Sequence, residues 1–239
     1  MTKINTKLFQ FDDVTTNQAL TWVIDNANTG EYKYVVTPNI DHTQRLIDNK
    51  EALSPLYAQA DLCLCDSRIL KVLLKIKGIK LESVVPGSDL TAQLFSSNKM
   101  KDLKVLVVGG NTEVFTQLHS AYSSLDLVHI NPSMGFISKP EEVQALQAQI
   151  ADLAPNIIFL AIGSPQQEKL ANLLQGTLNK GVALCIGASI LFITGEEKRA
   201  PIIFQKLHIE WLFRMFAAPR LMKRYWQNFL SLGSIYKSL

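Results

Sequence analysis

The sequence predicts an α/β protein, a mostly parallel sheet with helices on both faces, followed by a basic helical appendage at the C-terminus. Three observations carry this reading. Short β-branched and apolar runs alternate with longer helical stretches, the pattern of parallel strands joined by crossover helices. Several runs are almost wholly apolar, as strands are when both faces are buried. Charge is also divided unevenly: Lys198 to Leu239 holds eight basic residues against one acid, a net of +7, and the other 197 residues carry −4 of the total of +3.

The elements follow in order. A helix near Asn17–Asn26 precedes the first strand, Tyr32–Val36, which ends in Thr37-Pro38-Asn39 and feeds a helix near Asp41–Asn49. Strand Leu62–Cys65 ends in Asp66-Ser67-Arg68, with helices near Ser67–Lys77 and Ser88–Ser96 behind it. Strand Lys104–Val108 ends in Gly109-Gly110-Asn111 before a helix near Thr112–Ser123. Strand Leu127–Ile130 ends in Asn131-Pro132-Ser133 before Pro140–Asp152, and strand Ile157–Ala161 runs through Gly163-Ser164-Pro165 into a helix near Gln166–Leu178. The last strand, Ala183–Ile186, ends in Gly187-Ala188-Ser189. The arrangement is Rossmann-like, and ligands in such sheets gather at the carboxyl ends of the strands.

With 239 residues, 47% hydrophobic, 19% charged, 12 Gly and 9 Pro, the chain is an ordinary globular one. Disordered, collagen-like and low-complexity classes are excluded. One large domain with an appendage fits the length, with the boundary near Lys198-Arg199-Ala200-Pro201: residues 1–197 as the core and 198–239 as the appendage. The odd set of Cys63, Cys65 and Cys185, with no signal-peptide pattern over Met1 to Asp13, reads as reduced thiols in the cytoplasm. The apolar run Val182 to Ile193 is interrupted by Gly187 and Ser189 and is too short for a span.

The tail mixes its cations with Trp211, Phe213, Phe216, Tyr225 and Trp226. That suits an anionic surface, lipid headgroups or phosphates; a terminal helical pair packing its aromatics on the core is the alternative. No nucleic-acid partner is expected.

Each candidate motif has two readings. Gly109-Gly110, with Thr112 as the expected N-cap, can present backbone N–H groups to a phosphate or simply make a tight turn. Asp66 directly follows a buried strand, where it can serve as a general base or as a helix N-cap. Gln167 and Glu168 open a helix after an apolar strand; they can grip hydroxyls of a sugar, or favour the helix dipole. Cys63 and Cys65 share one strand face and fit core packing rather than zinc or CxxC chemistry. The four histidines, His42, His119, His129 and His208, show no metal-binding spacing, and no Asp-x-Asp stands at a strand end. No cofactor and no metal are expected. Serine-hydrolase and P-loop signatures are missing too.

At this point the residues resemble the WecG/TagA/CpsF family of bacterial glycosyltransferases, from about Tyr32 to Trp226. The resemblance rests on Thr37-Pro38-Asn39, Ala60-Asp61 leading to Asp66, Pro86-Gly87-Ser88-Asp89-Leu90, Val108-Gly109-Gly110, Pro132 with Gly135-Phe136 and Gly163-Ser164-Pro165-Gln166-Gln167-Glu168-Lys169. It continues through Gly195 with Lys198-Arg199-Ala200-Pro201 and Glu210-Trp211-Leu212-Phe213-Arg214 followed by Pro219-Arg220. It implies an inverting transfer of an N-acetylmannosamine-type or related hexose from a UDP-sugar to a polyprenyl-diphosphate-linked sugar, at the inner face of the cell membrane. Asp66 is then the expected catalytic base. Thr37, Asn39, Arg68, Gly110, Gly163, Gln167, Glu168, Gly187, Arg214, Arg220 and Arg224 are the expected substrate contacts, with an anionic membrane surface as a partner of the appendage and a homo-oligomer as a possible assembly. Three positions depart from the family pattern: Ser67-Arg68 after Asp66 where Asp-Gly is common, Val84 in place of an arginine, and Leu191 in place of an aspartate. A non-catalytic membrane scaffold and a nucleotide-binding Rossmann protein are the alternatives to enzymatic transfer.

Overall fold

A computed structural model describes residues 1–197 and 222–239. Two short strands, β1 (Thr2–Asn5) and β2 (Gln10–Asp13), form an antiparallel hairpin ahead of the main sheet. The sheet itself has six strands, all parallel: β3 (Tyr32–Val36), β4 (Leu62–Cys63), β5 (Lys104–Val108), β6 (Asp126–Ile130), β7 (Ile157–Leu160) and β8 (Gly181–Cys185), in the order β4-β3-β8-β7-β5-β6. The expected strands are all present, with every end within two residues of the sequence reading; β4 closes two residues early, at Cys63, and β8 opens two residues early, at Gly181.

Alternation along the central strands explains why they read as continuous apolar runs. Leu106, Val108, Ile158, Leu160, Ala183 and Cys185 enter one core; Val105, Val107, Ile157, Phe159, Val182 and Leu184 enter the other. On the first face lie α2 (Ile40–Asp48), α3 (Lys50–Ala58), α4 (Arg68–Ile76), α7 (Pro140–Leu153) and α8 (Gln166–Leu174), each burying residues there. The second face is covered by α1 (Thr16–Ala27), α5 (Gly87–Phe95), α6 (Thr112–Ala121) and the short α9 (Ser189–Ile193). A last helix, α10 (Met222–Ser238), lies against α2 and buries Ile235 and Leu239 in the first core.

The hairpin and α3 go beyond the sequence reading. Asp12, 4% exposed, accepts from Lys3 and from the backbone N–H of Cys63 at 2.9 Å, so the hairpin meets the edge strand β4. Asp13 accepts from the N–H groups of Glu82 and Ser83. Strands of four residues with mixed polarity give almost no periodic signal, and a proline inside a helix removes one. Pro55 sits inside α3, which follows α2 across Asn49 alone. A second correction concerns capping: Asn111, not Thr112, caps α6, its side chain accepting from Val114 N–H at 2.8 Å.

Candidate active site

In a parallel sheet with crossover helices, the loops after the strands and the N-termini of the following helices share one edge. Read across the sheet order, that edge carries Asp66, then Thr37-Pro38-Asn39, Gly187, Gly163-Ser164, Gly109-Gly110 and Asn131. A depression lined by Ala151, Pro155 and Lys180 lies at the opposite end, beside the starts of β7 and β8.

Asp66 is half-buried in the loop beyond β4, and its N–H donates to Pro38 O at 3.0 Å. The helix cap there belongs to its neighbour: Ser67 accepts from Leu70 N–H at 3.1 Å. The N-cap explanation for Asp66 is thereby removed. Arg68 is the first residue of α4. With strands ~4.8 Å apart, the ends of β4 and β8, which lead to Asp66 and Gly187, stand roughly 10 Å apart with β3 between them.

Next along the edge, Thr37 donates to Cys185 O at 3.2 Å. The start of α5 closes on it. A Cβ on Gly87 would stand 3.0 Å from Thr37 Oγ1, so a side chain there pushes α5 and Thr37 apart. Asn39 caps α2, its side chain accepting from Asp41 and His42 N–H groups.

Three strand-end loops are then tied together by one chain of polar contacts. His42 Nδ1 lies 2.9 Å from Asn39 Oδ1, and its Nε2 is 3.7 Å from Glu168 Oε1. That same carboxylate oxygen accepts from Gln167 Nε2 at 2.9 Å, and Gln167 Oε1 accepts from Gly187 N–H at 2.9 Å. Gln167 and Glu168 are only 2% and 1% exposed, so both amide and carboxylate are held in a fixed orientation. Arg45 adds a second tie, paired with Asp41 and donating to Ser164 O at 2.6 Å.

One buried polar atom in this region, Glu168 Oε2, has no hydrogen-bond partner among the described residues. Buried acceptors are rarely left so. That oxygen, in the first turn of the helix that follows β7, keeps acceptor capacity for a donor such as a hydroxyl.

The backbone supplies the rest of the lining. Gly109, Gly110, Gly163 and Gly187 all adopt positive φ, from +53° to +95°. At Gly109 a Cβ would meet Ile162 Cγ2 at 2.6 Å and Ala161 O at 2.8 Å, which fixes glycine at that turn. At Gly163 the same Cβ would meet nothing within 4 Å, so open space lies above that loop. Among the described residues no side chain caps α5 or α8, whose N-termini bring their positive dipole ends to this edge, each with one carboxylate, Asp89 or Glu168, in its first turn.

The three cysteines are free and buried, away from any such role. Burial pushes the Cys65 thiol up to about 12 and also raises Cys63 and Cys185 well above the usual thiol value, the charge of Asp12 adding at Cys63 and that of Glu168 at Cys185. A neutral thiol is a poor nucleophile. Among the described residues no group of three His, Cys, Asp or Glu side chains stands ready to hold a metal ion.

Of the expected site residues, Asp66, Thr37, Asn39, Arg68, Gly110, Gly163, Gln167, Glu168 and Gly187 thus lie on loops and helix starts of one edge. Arg214 and Arg220 lie outside the described residues, and of Arg224 only the backbone, within α10, is described. His42 and Arg45 join the site although neither was expected there. Leu191, at the position where the resemblance expects aspartate, packs against the second core. The family model described as "Glycosyl transferase WecG/TagA/CpsF family" matches residues 4–239.

Proposed function

The chain belongs to the WecG/TagA/CpsF family of glycosyltransferases, enzymes of cell-surface polysaccharide synthesis, and from that premise we propose which reaction it runs and with which residues. The donor is a UDP-sugar, an N-acetylmannosamine-type or related hexose. The acceptor is a polyprenyl-diphosphate-linked sugar, and the transfer inverts the anomeric centre. Family membership sets aside the non-catalytic scaffold and the dinucleotide-binding alternative.

Asp66 is the general base. Its carboxylate takes the proton of the acceptor hydroxyl as that oxygen bonds to the anomeric carbon, while the bond from this carbon to the diphosphate oxygen breaks and UDP leaves with the electron pair. Inversion needs one carboxylate on the attacking side, by the logic that separates inverting from retaining glycosidases. The observation that carries the reading is the position of Asp66: half-buried, beyond the end of an edge strand, on the same edge as the Gln167–Glu168 network. Gln167 and Glu168, with Thr37 and Asn39, bind sugar and acceptor, the unpartnered oxygen of Glu168 taking a hydroxyl. Arg68, beside Asp66, fills the role that the resemblance gives to an arginine at position 84.

The charge developing on the leaving diphosphate is met by the amides of Gly110 and Gly163, by the helix N-termini, and by Arg214, Arg220 and Arg224, while the Gly187 N–H stays with Gln167 and holds it in place. On this reading transfer is metal-independent. The tail also holds the protein on the anionic inner face of the membrane, where the lipid acceptor resides. Supporting this, Trp226 and Phe229 are 58% and 51% exposed on α10, and no helix among the described residues is long and apolar enough to cross a membrane. Assembly as a homo-oligomer is compatible with this arrangement.

The test is an assay of the full chain with a polyprenyl-diphosphate-N-acetylglucosamine analogue and a panel of UDP-sugars, with and without chelator. Release of UDP with a single donor, unchanged by chelator, is the expected result. No turnover with any UDP-sugar, or turnover lost on chelation, contradicts it.

A further inference from the structure

Helix α4 carries an apolar strip that the core does not use. Leu70 and Leu74 are fully buried, and Ile69 and Leu73 pack partly against the same core, whereas Val72 is 47% and Ile76 63% exposed. Val72 and Ile76 stand one turn apart and border the half-buried Ile69. A surface helix ordinarily turns polar residues outward; this one turns out two branched aliphatics.

Those aliphatics sit among charges of one sign. From Ser67 to Leu81 the chain holds five basic residues, Arg68, Lys71, Lys75, Lys77 and Lys80, and no acid. Lys71 donates to Glu82 O and Lys80 pairs with the Glu82 carboxylate at 2.5 Å, so the excess is partly met at one end; Lys75 is exposed. The strip is also joined to α10. Lys77 Nζ lies 5.0 Å from the Tyr236 ring centroid and donates to Lys237 O at 3.5 Å.

This chemistry selects among occupants. A second copy docked by two-fold symmetry would set the same cations against each other, which costs binding energy. An anionic lipid surface accepts both features at once: aliphatic side chains enter the boundary of the acyl chains, and lysine stems lie along them with the ammonium groups at the phosphates. We propose that α4 is a membrane-contacting element in its own right, with Val72 and Ile76 entering the lipid boundary and the exposed Lys75 meeting anionic headgroups. The proposal extends the reading of a lipid-linked acceptor and rests on it for purpose. Because α4 begins two residues after Asp66, such docking holds the proposed base at the lipid surface.

The experiment is flotation of the full chain with phosphatidylcholine vesicles, with and without phosphatidylglycerol. Three variants are compared: Val72→Ser with Ile76→Ser, Lys75→Glu, and Trp226→Ser with Phe229→Ser as the tail control. The first is expected to weaken binding to phosphatidylglycerol vesicles about fivefold or more. Reversing the charge of Lys75 weakens it about tenfold, with no effect on pure phosphatidylcholine. Should the double variant lose its fold, the exposed Lys75→Glu carries the test. Wild-type binding by both α4 variants overturns the proposal, as does loss confined to the tail control. A shift in oligomeric state with unchanged flotation overturns it in favour of a second copy. A wild-type chain that ignores anionic vesicles sinks both the α4 and the tail readings. Failure of the donor panel alone leaves the α4 result standing.

Discussion

At the carboxyl edge of the sheet a polar pair, Gln167 and Glu168, is buried; on α10 apolar side chains, Trp226, Phe229 and Leu230, face out. Gln167 and Glu168, 2% and 1% exposed, are fastened to each other and to Gly187, while Ile235 and Leu239 anchor α10 and leave Trp226, Phe229 and Leu230 at the surface. The contrast separates two kinds of work. A site that must hold reacting atoms needs orientation, which a buried network supplies. A surface that meets lipid needs apolar area and cations, with no fixed geometry.

Substitutions sharpen that contrast. Within α10, Ile235→Ala opens a cavity in the first core and is expected to cost about 2–5 kcal/mol, a drop in Tm of roughly 2–4 °C for each kcal/mol. At the edge, Gly109→Ala forces a Cβ against Ile162 and Ala161 O at positive φ, for a loss of about 1–3 kcal/mol. Gln167→Leu leaves the Gly187 N–H without its acceptor and removes one donor from Glu168. It is expected to cost about 1–3 kcal/mol and to lower kcat, read by thermal melting beside an activity assay. Trp226→Ser and Phe229→Ser should leave stability within about 0.5 kcal/mol, since both rings are exposed; an equal loss for Ile235 and Trp226 would erase the division drawn within α10. Smallest of all, Cys63, Cys65 and Cys185 should resist iodoacetamide in the native protein and react in denaturant, as mass spectrometry can read.

The sheet was legible in the sequence because each central strand feeds two cores, so apolar runs such as Ile157–Leu160 and Lys104–Val108 stand out. The hairpin was not, since Thr2–Asn5 and Gln10–Asp13 draw their order from Asp12 and Asp13 bonding to residues 51 to 70 positions away. The same limit applies at the site. Strand-end position picks out Asp66, Thr37, Gln167 and Gly187 from the local pattern alone. His42 and Arg45 act across more than a hundred residues, on Glu168 and Ser164. A search of the histidines for metal spacing passes over His42; its one local signal is its place three residues after the capping Asn39.

The glycosyl transfer proposed above turns on Asp66, and Asp66→Asn tests it most directly because the amide keeps the shape of the side chain and cannot take the proton. With melting temperature and UDP binding close to wild type, kcat for sugar transfer should fall by about 10²–10⁴-fold. Turnover at the wild-type rate would contradict the account.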